Sequence, residues 1–284
     1  MHSDPNTDWT AVIKPHARWF DLRLAELWRY RDLVSLFVHR DFVARYKQTI
    51  LGPLWYLIQP LLTTAVFTIV FGNIAGISTD GLPKFLFYMA GNVTWTYFSE
   101  CLTQTHNVFI ANASVFGKVY FPRLTVPVSI LISNLVTFLV QMLFFLAFLV
   151  YFSWQGADIR PNWYLLWIPA LVLFMAGLGL GLGLVISAAT TRYRDLTHLV
   201  SFGVSLFMYA TPVVYPLSAV PETYKWLIMA NPMTPLVETV RYAFLGRGGV
   251  EVIHLVYSGV VTLVVLVAGI LVFHRVERTF MDSI

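Results

Sequence analysis

Charge is what this chain of 284 residues has least of. Asp, Glu, Lys and Arg make up 12% of it, about half the share of an ordinary soluble domain. Set against 57% hydrophobic residues, that deficit excludes intrinsic disorder, which needs the reverse balance. It also argues against a soluble enzyme, because a core of this size cannot absorb so many apolar side chains while the surface stays wet. The single cysteine, Cys101, excludes an internal disulfide framework and a multi-cysteine metal site. Neither the phosphate loop G-x-x-x-x-G-K-[ST] nor the zinc motif H-E-x-x-H occurs. No cofactor or metal is therefore expected on this chain. The formal charge of +4 is scattered over the ends of apolar runs rather than gathered in a patch, so nucleic acid is not an expected partner.

What the sequence does contain is apolar length. Six runs, at 54–75, 85–105, 124–152, 163–189, 196–215 and 252–273, reach the roughly 20 residues that cross a hydrocarbon core as a helix. The expected fold is an all-α membrane protein with six transmembrane helices. Asp4, Asp8 and Asp21 precede the first run and do not fit a cleaved signal, so that run is expected to stay in the membrane. Basic residues set the orientation, because cytoplasmic links carry excess Lys and Arg. Lys118, Arg123, Arg192 and Arg194 fall in alternate links, and Arg275 and Arg278 in the tail. The opposite links hold only Lys84 and Arg160. Both termini are expected in the cytoplasm.

Residues 1–53 are expected to form a cytoplasmic amphipathic interface segment, distinct from the six-span domain at 54–284. Phe20, Leu24, Leu27 and Trp28 fall on one helical stripe, and Val34, Val38, Phe42 and Tyr46 on another. Such helices lie in the headgroup plane or pack on another protein domain; the pattern alone allows both. Gly52-Pro53 marks the bend into the first span. Tyr and Trp gather at span ends, as at Trp154, Trp163, Tyr164 and Trp167. They suit an interfacial belt or sugar-stacking faces in a channel.

The inner link 109–123 is longer than a turn needs. It is expected to be a short helix on the cytoplasmic face, or an interfacial turn, with Phe109, Phe116, Tyr120 and Phe121 as anchors for a docking partner. From 216 to 249 the apolar pieces are too short to span and are divided by Pro216, Pro221, Pro232 and Pro235. Two short re-entrant or surface-lying outer helices are expected there, since broken helices at membrane depth need protein or a wet cavity around them. Glu238 and Arg241 share a face at i, i+3; an exposed ion pair is the favoured reading, a gate the alternative. Glu100, an acid within a span, is read as a structural bridge or a gating contact. Gly177, Gly179, Gly181 and Gly183 do not fit a nucleotide fingerprint and are expected to let helices approach closely.

Five stretches, in order, resemble the permease subunits of polysaccharide ABC exporters of the ABC-2 type. They are Arg45-Tyr46-Lys47 through Gly52-Pro53-Leu54-Trp55 with Gln59-Pro60; Trp95 through Glu100 with Asn107, Asn112 and Lys118 through Arg123; Arg192-Tyr193-Arg194-Asp195-Leu196; Thr211 through Pro216; and Asn231 through Glu238. The nearest types are O-antigen and teichoic-acid exporter permeases, and the likeness runs over residues 30–284.

The resemblance implies a homodimer in a bacterial cytoplasmic membrane, joined to two copies of a separate ABC ATPase that carries the ATP and Mg. It implies a substrate of glycan on undecaprenyl diphosphate. Phe109, Asn112, Phe116, Lys118, Tyr120, Phe121 and Arg123, with Arg192, Arg194 and Asp195, would couple to the ATPase. Arg45 and Lys47 would recruit the lipid diphosphate. The rivals are an exporter of small amphiphiles or drugs on the same scaffold, and a membrane enzyme acting on lipid-linked sugars. The last would need clustered acids or histidines at one membrane face, and the sequence has no such cluster.

Overall fold

The computed structural model describes residues 24–47, 49–116, 118, 121–190, 193, 195–249 and 251–281. Among them there is no strand. Helices α1 (Leu24–Arg29) and α2 (Arg31–Tyr46) come first. Gly52, at φ 50°, opens a single 3-10 turn that redirects the chain into α3 (Trp55–Phe67). That left-handed φ is what glycine tolerates and other residues resist. The helix runs on as a π-helical stretch, Thr68–Ile74. Then follow α4 (Lys84–Thr105), the single turns α5 (Val108–Ala111) and α6 (Ala113–Phe116), α7 (Thr125–Trp154), α8 (Ile168–Thr190), α9 (Leu196–Tyr209), α10 (Glu222–Met229), α11 (Met233–Leu245) and α12 (Val252–Met281).

Four helical stretches are long and apolar enough to cross a membrane: Trp55–Ile74, Thr125–Trp154, Trp163–Thr190 and Val252–Val276. They match four of the six expected runs. The other two runs are helical but differ from expectation. α4 has 22 residues yet carries Asn92, Glu100 and Gln104. Its surroundings explain why it tolerates them: α4 packs against α3, α7, α8, α9 and α11, and its side chains from Leu86 to Trp95 are all buried. A helix walled in by protein has no need of an all-apolar surface. α9 stops after 14 residues, because the chain leaves the helix at Ala210 and turns toward Pro216.

The N-terminal helices form, with a shifted stripe. Val34 and Phe37 of α2 are the buried pair, whereas Phe42 is exposed and Trp28 stands 73% exposed. Phe20 lies outside the described residues.

The bundle is centred on α8, which lies between α4 and α12. Its glycines divide between these two neighbours. A Cβ on Gly177 would sit 2.9 Å from Thr262 Cγ2, and one on Gly181 2.8 Å from Leu266 Cα, both on α12. On the α4 side, a Cβ on Gly179 would sit 2.9 Å from Cys101 Cβ, and one on Gly183 2.6 Å from Thr105 Cβ. Glycines two apart point to opposite sides of a helix and those four apart to the same side, so the run makes two close-approach seams. In lipid, where the apolar effect does not drive helices together, such close contact is a main source of association.

Gly181→Val and Gly183→Val should each lower the thermal midpoint of the detergent-solubilised protein, with overpacking costing about 1–3 kcal/mol. Gly203→Ala on α9, whose added carbon meets nothing within 4 Å, should leave the midpoint unchanged or raised.

Candidate functional site

Three places hold the residues with functional chemistry. The first is the link between α4 and α7. It folds as two single turns broken at Asn112, whose Nδ2 donates to the Val108 carbonyl at 3.0 Å. The expected single helix is therefore interrupted, since a side chain bonded to the backbone behind it ends a helix locally. Phe109, Phe116 and Phe121 are buried rather than outward anchors. Phe109 stacks on Phe273 of α12 at 4.7 Å, and Phe121 meets Phe37 of α2 at 5.6 Å. Arg123 is buried with its guanidinium 5.5 Å from the Phe116 ring centre. Burial of these rings against α2, α8 and α12 removes apolar area from solvent, which an exposed docking face would forgo. Among the described residues of the link, Ala111, Ser114 and Lys118 are exposed. Tyr120, Arg192 and Arg194 lie outside the described residues, and Asp195 is exposed. Lys47, just after α2, is exposed as well, while the side chain of Arg45 is not among those described.

The second place is α11. Glu238 and Arg241 form an ion pair at 2.6 Å with side chains only 3% and 2% exposed. The expected exposed pair is thus a buried one. Spacing fixed their shared face but not which way it turns, and α11 is buried along nearly its whole length. Arg241 Nη2 also donates to the carbonyls of Pro212 at 2.9 Å and Val213 at 3.3 Å, and its guanidinium carbon lies 3.7 Å from the Phe87 ring centre of α4. One guanidinium thus joins α11, α4 and the turn after α9. Asn231 adds a donor to Thr211 Oγ1 at 2.8 Å, and Ser258 of α12 donates to the Pro232 carbonyl at 2.9 Å. α10, in contrast, leaves Tyr224, Trp226 and Leu227 exposed. Gly246 closes α11 in the left-handed conformation, φ 75°, where a Cβ would sit 2.5 Å from the Arg160 carbonyl oxygen. Nearby, Asp158 takes hydrogen bonds from Arg160 at 2.7 Å and Arg247 at 2.9 Å; the Arg160 bond is the main influence holding its carboxyl below the usual range.

The third place is a cavity of about 380 Å³ between α3, α4 and α7. Pro60 interrupts α3 and, lacking an N–H, leaves the Tyr56 carbonyl without its intrahelical donor. Gln141 of α7 donates to that carbonyl at 3.3 Å. Asn92 of α4 donates to the Pro60 carbonyl at 3.4 Å. Deeper along α4, Gln104 Nε2 donates to Glu100 Oε2 at 2.6 Å and to Asn134 Oδ1 of α7 at 3.2 Å. Glu100 is therefore bonded to an amide rather than to a cation. Reading by residue type singled out Glu100 and missed Asn92, Asn134 and Gln141. The signal was available: Asn134 and Gln141 are seven apart, on one face of an otherwise apolar span.

A bundle of helices, four of them long and apolar enough to cross a membrane, fits an integral membrane protein. The chain belongs to the ABC-2 type transporter family, whose membrane model matches residues 32–245. It is 30% identical to the O-antigen export system permease protein RfbA of Myxococcus xanthus over 263 residues, 91% of this chain and 98% of that protein. To the protein of the same name from Klebsiella pneumoniae it is 28% identical over 254 residues, covering 88% and 94%. The polysialic acid transport protein KpsM of Escherichia coli is 21% identical over 245 residues, covering 86% and 93%.

Arg241→Met should destabilise the solubilised protein by about 3–5 kcal/mol, because it strands Glu238 without its partner. Adding Glu238→Gln to that variant should restore part of the loss. A thermal double-mutant cycle on the four proteins measures the coupling.

Proposed function

We propose that this chain is the permease of an ATP-driven exporter of polysaccharide carried on undecaprenyl diphosphate, working as a homodimer with two copies of a separate ATPase. The observation that carries this reading is near full-length similarity to two permeases named for O-antigen export. In this reading α4 and α9 also cross the membrane, making six spans. α4 is long enough at 22 residues and is shielded from lipid by its neighbours; α9 is completed by the turn through Pro216. An even number of spans returns both termini to the basic, cytoplasmic side, as the Lys and Arg pattern favours.

The exposed apolar stripes of α3 and its π-helical continuation (Leu62, Val66, Ile69) and of α9 (Leu199, Phe202, Leu206) suit a second protomer across a central path. The link after α4 is the coupling element. Its exposed Lys118 meets the ATPase, and its buried rings pass the push on to α2 and α12. A rigid aromatic wedge transmits displacement well, because packed cores deform little. Lys47, with Arg45, recruits the lipid diphosphate at the inner interface, where a basic group gains from anionic oxygens. Residues 1–53 then serve as the interfacial doorway to the domain at 54–284. The latch at Glu238 and Arg241 holds the outer segment shut or open as one unit.

In a strain lacking this gene, lipid-linked glycan should accumulate inside, as identified by mass spectrometry of the lipid extract. Complementation with Lys47→Ala should leave complex assembly intact and lower surface glycan; full export by that variant and by Arg45→Ala would remove both from the recruitment step.

A further inference from the structure

The cavity between α3, α4 and α7 has no part in the export reading given so far. Its chemistry is unusual for its place, because polar groups at membrane depth are costly unless satisfied. Asn92 and Gln141 use their N–H groups on α3 carbonyls, and their side-chain oxygens take no hydrogen bond from any described residue. Both side chains are buried. Glu100 takes one bond, at Oε2, and enters no ion pair among the described residues. The result is a set of unspent acceptors facing a volume of about 380 Å³, at the lower end of the range for small-ligand pockets. Trp55 and Tyr97 contribute aromatic walls.

The lining states what would fit. It asks for a ligand that both gives and takes hydrogen bonds, since the side-chain oxygens of Asn92, Gln141 and Glu100 can accept while the Gln59 amide and the Thr63 and Thr96 hydroxyls, which line the same space, can also donate. No Lys or Arg lines the space, and Glu100 repels negative charge, so a phosphate or an acidic sugar is disfavoured. Aromatic faces suit the apolar side of a ring. We propose that this cavity binds one neutral, hydroxyl-rich sugar ring of the exported chain, with the amide and carboxylate oxygens accepting its hydroxyls and Trp55 and Tyr97 bracketing it. The site selects neutral glycans over anionic ones, and it deepens the export reading on which it rests.

The test uses the full permease in its own host. A benzophenone amino acid is placed at Thr137 on the α7 wall or at Thr63 on the α3 wall, with Leu143 of α7, exposed and away from the cavity, as control. Irradiated cells should yield a permease ladder stained for glycan from position 137 or 63 and none from 143. Adding Glu100→Gln should lower that yield about fivefold, since hydrogen bonds to a charged acceptor are roughly twice as strong as neutral ones. Adducts of phospholipid mass alone, no adduct in cells that still export, or a yield unmoved by Glu100→Gln would overturn the assignment. Normal export in cells lacking the gene is a separate result, which removes the export reading itself.

Discussion

A polar group at the centre of a bilayer has no water to turn to, and that constraint organises this molecule. Pro60 removes one backbone donor from α3, and a glutamine from α7 replaces it. The chain turns at Thr211–Pro216, and a guanidinium from α11 takes up the carbonyls this exposes. Both of these departures from regular helix are met by a side chain from another helix. Backbone carbonyls buried among apolar helices need such partners, so the irregular points of the chain are also where its helices are tied together.

These ties differ in kind. The seams of α8 hold by contact alone: glycines bring α4 and α12 within backbone distance, and nothing there needs to move. The latch at Arg241 is electrostatic and directional, joining three elements through one side chain. The bundle thus combines a close-packed centre with a buried, directional electrostatic tie. The aromatic wedge of Phe109, Phe116 and Phe121 is a third kind of tie, packing the link after α4 against α2, α8 and α12.

Much of the architecture was legible in the residues. Apolar length located the helices, and the glycines of α8 announced close packing because no other residue removes a Cβ. α4 was legible as a helix, but its central position was not, because hydropathy says how apolar a segment is and not what surrounds it. The pairing of Glu238 with Arg241 followed from spacing, yet its burial depended on tertiary packing of α11. For the link after α4 a short helix and an interfacial turn were both open; Asn112 bonds back onto Val108, and the link folds as two single turns. The cavity amides were passed over because isolated Asn and Gln vanish in the average of an apolar window, although Asn92 and Gln141 find their partners in backbone carbonyls of the proline-containing α3.

The central claim is that this chain is a passage whose energy comes from a separate ATPase. The direct measurement is reconstitution: permease in liposomes, with and without an ABC ATPase that co-purifies with it from its host, and lipid-linked glycan supplied on one face. The account predicts that glycan becomes accessible on the far face only with permease, ATPase and ATP together. Translocation by the permease alone, or none by the complete set, would contradict it.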